Sequence, residues 1–474
     1  MFCIFYLYFW IIFYIENKLK NNNKLYKQIT VTFKRDSMKI MLTGNGAREH
    51  CIAETLKKDK ETKLYSYLKS KNPGIINLSK EIEIGNYNDL GKIKRFAQKT
   101  KPDFAFIGNE DPLNNGVVDL LKEMAIQSIG PTKNLAQLET SKSFTRNLLK
   151  KYKINGNPKF ETFNKKNISE AKNFIDGLNQ CVIKPDGLTG GKGVKVQGDH
   201  FQTKKEALDY CNEVLQTHSF VVVEEKLEGE EFSLQCITDG KIVVAMPPVQ
   251  DHKRAFVGDK GPNTGGMGSY SCENHLLPFL TKKDVEEGLK MTEKVANAIH
   301  KETGELYNGI MYAGLIKAKN GIKLLEYNAR LGDPEAMNVL PLMETDFVDV
   351  CNAIINQELH KLKIKFRNKA TVCKYLVPNG YPDNPAKNEK ISIVKIPQNA
   401  KLYYASVEQK EGGLYTTTSR AIACLGIADN LEKAEKIAEQ AANAIKGHVF
   451  HREDIGTKKL IEKRLRHMKD IFDK

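Results

Sequence analysis

Residues 181–196 read CVIKPDGLTGGKGVKV. A short apolar run delivers Lys184, a turn with Gly187, Gly190, Gly191 and Gly193 carries Lys192, and Val194 and Val196 lead away from it. The pattern predicts strand, loop, strand. Glycines admit backbone N–H groups close to a polyanion, because no Cβ intervenes and positive φ is open to them. The two lysines add charge for phosphate oxygens. A Walker loop does not fit, since Lys192 is followed by Gly193 instead of a hydroxyl and valines stand where a helix would begin. The stretch reads as a phosphate-binding hairpin; the bland alternative, a surface hairpin with solvated lysines, is weighed against the motifs around it.

Downstream, two strands are predicted at 309–317 and 321–327, the second running into EYNARLGDPE (326–335). On a strand Glu326 and Asn328 share one face, and Arg330 follows on that side. Two oxygen ligands on one face suit Mg²⁺, which takes few protein ligands and keeps phosphates and water as the rest. Arg330 can steady charge on a transferring phosphoryl group. Upstream, LETSKSFTRNLLKK (138–151) predicts a helix whose start brings Lys142 toward phosphate. Residues 160–225 form a small α/β unit around the hairpin, closing on the strand and hinge FVVVEEKL (220–227). Adenine needs an apolar slot edged by backbone donors and acceptors, which 224–227 (Glu224, Glu225, Leu227) can supply, and ribose needs a carboxylate, Glu230 or Glu231. The polar, Gly-rich 250–270, QDHKRAFVGDKGPNTGGMGSY, is long for a connection and reads as a substrate loop carrying Asp251, His252, Lys253 and Arg254.

From Met38 a buried strand feeds Gly44-Asn45-Gly46-Ala47-Arg48-Glu49-His50 and then a helix, an arrangement that binds anions at the helix N-terminus. A dinucleotide fingerprint fails, because Glu49 stands where the third glycine belongs and no acidic residue closes a second strand near 65–69. A smaller phosphate ligand fits better. Further strands at 104–108, ending in Asn109-Glu110-Asp111-Pro112-Leu113, and at 128–131 place more loops at the same sheet edge. Beyond Arg367 a last α/β segment, with strands at 372–377 and near Val394 and Tyr403 and a helix at 431–445, carries no chemistry of its own and completes the pocket.

The chain of 474 residues suggests about three domains. Lys+Arg 73 against Asp+Glu 58 leaves a charge of +15, but the basic residues are dispersed without aromatic interleaving, so the excess suits anionic substrates and not nucleic acid. Nine cysteines show no CxxC and no metal spacing, which points to a reducing compartment. Residues 1–15 are almost wholly apolar, yet the run falls short of a bilayer span and lacks a basic start and a cleavage site. The expectation is that translation begins at Met38 and that 1–37 is an extraneous tail, in preference to a membrane-associating one.

In order along the chain, GNGAREH, SIGPT, LETSKSFTR, VIKPDGLTGGKGV, EEKLEGEE, QDHKRAFVGDKGPNTGGMGSYS, YAGL and LEYNARLGDPE resemble the phosphoribosylamine–glycine ligases, or glycinamide ribonucleotide synthetases, of purine biosynthesis. The match runs from Met38 to the C-terminus. The long QDHKR to GGMG string is specific to that family, whereas the hairpin and the Glu-x-Asn strand are shared by all ATP-grasp ligases. The resemblance implies an α/β chain, α+β overall, with a Rossmann-like domain at 38–138, a two-lobed ATP-grasp domain at 139–366 (hairpin lobe about 160–228) and a small C-terminal α/β domain at 367–474. It implies a cytoplasmic monomer joining glycine to 5-phosphoribosylamine with ATP and Mg²⁺ or Mn²⁺, through glycyl phosphate. Lys142, Lys184, Lys192, Gly187, Gly190, Gly191 and Gly193 would hold the triphosphate, with Glu224, Glu225, Leu227 and Glu231 around the nucleoside. Glu326 and Asn328 would bind the metal, and Arg330, Lys184 and Lys192 would act on the transferring phosphoryl. Gly44, Asn45, Gly46, Arg48, Glu49 and Glu110 look like the phosphoribosylamine side; Asp251, Lys253, Arg254, Gly265, Gly266 and Asp333 lie near acceptor and glycine. Asn109 and Asp111 replace a usual Pro and Ala, Val257 a usual Asp or Asn, Met337 a usual Gln, Asn379 opens a usual GGYP, and Thr418-Ser419-Arg420 replaces Gly-Gly-Arg. Two other readings stand beside this one: a different ATP-grasp carboxylate–amine ligase, which the QDHKR string opposes, and a nucleotide-binding protein without turnover, which the intact Lys184, Glu326, Asn328 and Arg330 oppose.

Overall fold

Short, wholly apolar runs such as Ile40 to Leu42 and Phe104 to Ile107 are buried because helices cover both faces of the sheet they build. In the computed structural model, strands Lys39–Thr43, Lys63–Leu68, Glu81–Ile84, Phe104–Ile107 and Gln127–Ile129 pair in parallel, in the order three, two, one, four, five. The order reverses between the first and fourth strands, and ligands of such sheets bind outside the carboxyl ends at that point. Gly44 to Gly46 and Asn109 to Glu110 emerge there. The structure describes residues 37–190 and 193–473; the tail expected at 1–37 falls outside that range except for Ser37, as do Gly191 and Lys192.

The hairpin of residues 181–196 belongs to a four-stranded antiparallel sheet, Phe160–Phe163, Val221–Glu225, Cys181–Pro185 and Lys195–Val196, in that spatial order. Its apolar face, including Phe163, Ile183 and Val223, packs on Ile175, Cys211 and Val214 of helices Ala171–Asp176 and Lys204–Thr217. A second antiparallel sheet runs Val243–Ala245, Glu230–Asp239, Asn308–Ala318, Gly321–Asn328. Helix Lys282–Thr303 covers one face of it, with Thr292 Oγ1 3.1 Å from Tyr327 Oη. Alternation along the strand therefore turns Glu326 and Asn328 away from that helix, toward the cleft.

Two expectations change here. The predicted loop 250–270 is ordered into short strands: Gln250–Asp251, a hairpin Arg254–Phe256 with Lys260–Asn263, and Gly268–Ser271. Their backbone partner is distant in sequence, since Gly268–Ser271 pairs with Ala370–Pro378 in a sheet completed by Ile422–Ala428 and Ala400–Tyr404. The helix predicted at 138–151 is broken into Gln137–Thr140 and Lys142–Lys151 by Ser141, whose extended backbone (φ −139°) and hydroxyl, accepting from Phe144 N–H, cap the second piece. Lys142 is thereby its first helical residue. No helix among the described residues is long and apolar enough to cross a membrane, and all eight described cysteines are free and buried.

Residues 39–474 form one compact unit. His50, on helix Ala47–Leu56, fastens the N-terminal sheet to the C-terminal strand Ala400–Tyr404: its Nδ1 accepts from Tyr404 N–H at 3.0 Å and its ring stacks on Tyr404 at 5.6 Å. Burial, aided by Lys401, pushes its pKa from 6.5 down to about 4. The folded state thus takes up this proton later than the unfolded chain, so the His50 contribution is intact above pH 6.5 and is lost as the pH falls toward 4. At pH 5 the loss amounts to about 2 kcal/mol, at ~1.4 kcal/mol per unit. Urea midpoints measured from pH 7 to 4.5 should fall more steeply for the wild type than for His50→Gln, which keeps an acceptor; parallel curves would remove His50 from this role.

Candidate functional site

The base of the Gly-rich turn is tied down before any ligand arrives. Pro185 ends the strand, and the Asp186 carboxylate accepts from Ser143 N–H (3.1 Å), Ser143 Oγ (2.6 Å) and Ser141 Oγ (3.1 Å) at the N-terminus of helix Lys142–Lys151. Lys142 Nζ donates to Gly187 O at 2.7 Å. Gly187, Gly190 and Gly193 all adopt positive φ (111°, 58° and 89°), so the turn could not be built from ordinary residues. Gly191 and Lys192, expected at its tip, lie outside the described residues.

Lys184 reaches across the cleft. Its Nζ lies 2.8 Å from Glu224 Oε2 and donates to Leu325 O at 3.1 Å. Arg146 grips the same carboxylate with two nitrogens (2.7 and 2.9 Å) and also bonds Leu324 O and Leu325 O at 3.0 and 2.7 Å. Burial opposes charge on Glu224, but Arg146 and Lys184 outweigh it and hold the acid below its ordinary range. This corrects the expectation for Glu224: its side chain is spent on two cations and its backbone sits in the sheet, so it orients Lys184 and does not face a nucleoside. Glu225 Oε1 accepts from Lys159 N–H at 2.8 Å, and Leu227 follows two residues past the strand, partly exposed. Of the two ribose candidates, Glu230 is buried against Gln250 and His467, whereas Glu231 is open, 3.5 Å from Lys253 Nζ.

On the facing strand Glu326 pairs with Gly314 and Asn328 with Tyr312. Enclosure in the cleft disfavours charge on Glu326, yet Lys253, Lys184, Lys142 and Arg330 prevail and keep it anionic. Four of the predicted cations thus surround the predicted metal carboxylate. The hard oxygens of Glu326 and Asn328 fit a divalent cation that keeps phosphate and water ligands. Arg330 donates to Asn328 Oδ1 (3.0 Å) and Glu110 (3.1 Å), and lies 3.0 Å from Glu139. Despite its burial, Glu110 falls to about 2 beside Arg330 and Arg48, while Glu139, more deeply buried, is pushed up to about 7.

At the switch point of the parallel sheet, Glu49 departs from expectation. Its carboxylate accepts from Gly46 N–H and from Arg48 Nε, both at 2.5 Å, and is buried. A Cβ on Gly44 or Gly108 would lie 2.3 or 2.4 Å from its Cγ, so these glycines make room for the protein's own carboxylate. Glu49 shapes the loop and is no free ligand. Arg48 bonds Leu331 O at 3.1 Å and approaches Glu110 at 3.8 Å. Asn45 is held by Tyr87, its Oδ1 2.9 Å from the phenol. Asp111, the unusual carboxylate, has Lys69 at 3.9 Å to offset it. Gly46 faces Asp333, which accepts from Tyr375 Oη (2.6 Å) and pairs with Arg420 (3.2 Å). Arg420 also bonds Gly265 O and Gly266 O at 2.7 and 3.0 Å, tethering the Gly-rich segment. Arg254, expected at the substrate, instead grips Asp199 of the hairpin lobe at 2.5 Å. Val257 is exposed at the turn of its small hairpin, and Met337 is fully buried. A cleft of about 760 Å³ lined by Arg367, Lys369, Lys401 and Lys433 contains none of these residues.

Arg146, Asp186, Glu139 and Arg420 were not anticipated. Arg146 alone had a signal, standing four residues after Lys142 and so on the same helix face; the others depend on contacts across the fold.

Three family models match: the phosphoribosylglycinamide synthetase N domain at 38–139, its ATP-grasp (A) domain at 140–336 and its C domain at 371–458. A phosphoribosylamine–glycine ligase of Methanocaldococcus jannaschii is 50% identical over 444 residues, covering 92% of this chain and 100% of that one. One of Methanosarcina barkeri is 48% identical over 435 residues with the same coverage. The crystal structure of the Thermotoga maritima phosphoribosylamine–glycine ligase superposes with a TM-score of 0.74 at 28% identity, covering 88% of this chain and 99% of that one. A biotin carboxylase domain from Hydrogenobacter thermophilus, at 15% identity and a TM-score of 0.71 over 93% of this chain and 99% of that one, shares the fold alone.

Asp186→Ala frees the turn from the helix, and the nucleotide must then order it on binding. ATP affinity should weaken about tenfold, the loss of a charge-assisted contact in a half-exposed place. Nucleotide titration checks this, and an unchanged Kd would remove Asp186 from the role.

Proposed function

The chain belongs to the phosphoribosylglycinamide synthetase family, and from that premise we propose that it joins glycine to 5-phosphoribosylamine, converting ATP to ADP and phosphate and yielding glycinamide ribonucleotide for purine synthesis. The observation that carries the reading is the convergence of Lys142, Lys184, Lys253 and Arg330 on Glu326 beside a glycine turn. Such a site suits a triphosphate whose terminal group is moving.

A carboxylate resists attack by an amine until one oxygen becomes a leaving group. A glycine carboxylate oxygen attacks the γ-phosphorus, the bond to the β,γ-bridging oxygen breaks, and ADP departs. The amine nitrogen of phosphoribosylamine then attacks the acyl carbon of glycyl phosphate, the C–O bond to phosphate breaks, and a nitrogen proton leaves with the phosphate. No enzyme nucleophile is required; positioning and fixed charge supply the catalysis. Lys142 and Lys184 orient the triphosphate, the latter aimed by Glu224, and Arg330, fixed by Glu110 and Glu139, steadies the transferring group. Glu326 and Asn328 hold Mg²⁺ or Mn²⁺, which when bound neutralises phosphate oxygens. Glu231 accepts from the ribose, and the 225–227 backbone borders the adenine. Arg48, Glu110 and the 44–46 loop take the phosphoribosylamine.

We divide the chain into a Rossmann-like domain at 38–138, an ATP-grasp domain at 139–366 and a C-terminal domain at 367–474. The described free, buried cysteines suit the cytoplasm. The residues assigned to the site all come from one chain, in keeping with a monomer.

ADP release should require glycine and phosphoribosylamine together; glycine-independent or absent turnover by folded protein would overturn the reading. Glu326→Ala should abolish turnover, at least a thousandfold on the scale of removed electrostatic groups, while leaving the circular dichroism unchanged. Near-normal activity would take Glu326 out of the metal site.

A further inference from the structure

Across the larger antiparallel sheet, Gln235 pairs with Tyr312 and Tyr312 with Asn328, so the three side chains form one row on the cleft face. At ~4.8 Å per strand the row spans roughly 10 Å, from the proposed metal ligand to Gln235. Gln235 is fully buried. Its Oε1 accepts from Gly332 N–H at 2.7 Å, which fixes the amide beside Gly332, and its Nε2 has no partner. A buried donor left unpaired in a site otherwise well bonded points to an acceptor that arrives with a ligand.

Acceptors of the opposite kind crowd the same spot. Tyr312 Oη donates to Glu335 Oε1 at 2.5 Å, and Glu335 is only 2% exposed. A Cβ on Gly332 would lie 2.4 Å from Glu335 Oε2 and 2.7 Å from the Tyr312 ring, so Glu335 and the Gln235 amide close on one residue from two sides. Asp251 reaches this place through Gly266, where a Cβ would be 2.7 Å from Asp251 Oδ1 and 2.7 Å from Pro334 Cδ, one residue before Glu335. Burial and Glu335 together disfavour charge on Asp251. Two acidic side chains repel each other here, and the nearby Lys253 extends toward Glu231. The place wants a small cation joined to a small anion.

We propose that Gln235, Glu335 and Asp251 form the subsite that reads the amino-acid substrate as a zwitterion: Gln235 Nε2 donates to a carboxylate oxygen, and Glu335 and Asp251 hold the ammonium group. The proposal rests on the ligase reading. The free carboxylate oxygen then faces along the row toward Asn328 and Glu326, where the γ-phosphoryl is handled. Tyr312 is a positioning residue that acts through Glu335.

Glycine-dependent ADP release by the wild type comes first, since its absence would sink the ligase reading and leave the subsite unaddressed by kinetics alone. With that activity in hand, Glu335→Gln should raise the KM for glycine on the order of a hundredfold, as for the removal of one partner from a buried charge pair, with the KM values for ATP and phosphoribosylamine within about threefold. The preference for glycine over glycolate, which carries a hydroxyl in place of the ammonium, should fall by the same factor. An unchanged glycine KM, an unchanged preference, or all three KM values rising together would overturn the subsite. If Glu335→Gln fails to fold, Gln235→Met removes the amide donor and is read by the same three KM values. Wild-type protein gives a further check free of variants: glycine should raise the Tm where acetate, glycolate and methylamine do not, and equal stabilisation by acetate would refute recognition of the ammonium.

Discussion

The Glu224 carboxylate, shared by Arg146 and Lys184, is the interaction on which the site depends. It sits on the hairpin lobe, while both cations also bond the carbonyls of Leu324 and Leu325 on the strand that carries Glu326. One buried triad therefore joins the two sides of the cleft and sets the height of Lys184 above Glu326. Buried ion pairs contribute little net stability, because desolvation offsets attraction, but breaking one leaves a charge stranded. Specific placement, more than stability, is what this triad supplies.

A second chain of charge runs from Arg48 through Glu110 to Arg330 and Glu139. It connects the loop at the switch point of the parallel sheet to the end of the Glu326 strand, where Ala329 N–H donates to Glu139 at 2.8 Å. The phosphoryl-handling arginine is thus held by carboxylates from two other parts of the chain. Alternating charges of this kind are individually costly and jointly stable, since each group is the counter-ion of the next.

Legibility in the sequence followed the range of the interaction. The hairpin was readable because a glycine turn between apolar runs is a local pattern, and Glu326 with Asn328 because strand alternation puts them on one face. The order of parallel strands followed from strand and helix alternation. Glu49 misled, since a Gly-rich turn at a helix start looks the same whether it encloses a ligand or the protein's own carboxylate. Residues 250–270 looked like a loop because their strand partner lies far along the chain, beyond the reach of any window. Asp186 and Arg420 carry no local mark at all: one is a turn residue and the other a lone arginine, and only the tertiary contact gives either a task.

The sheet that pairs Gly268–Ser271 with Ala370–Pro378 has a consequence for synthesis. Ser271 lies opposite Thr371, about a hundred residues later, so the segment bearing Asp251 and Lys253 leaves the ribosome without its template. At ~5 to 20 residues per second that template follows roughly 5 to 20 s afterwards. The parallel sheet and the hairpin lobe, with partners close at hand, can form in the meantime. The nascent chain is therefore equipped to hold nucleotide before it can hold the amine and amino acid, and competence to react arrives only near the end of translation.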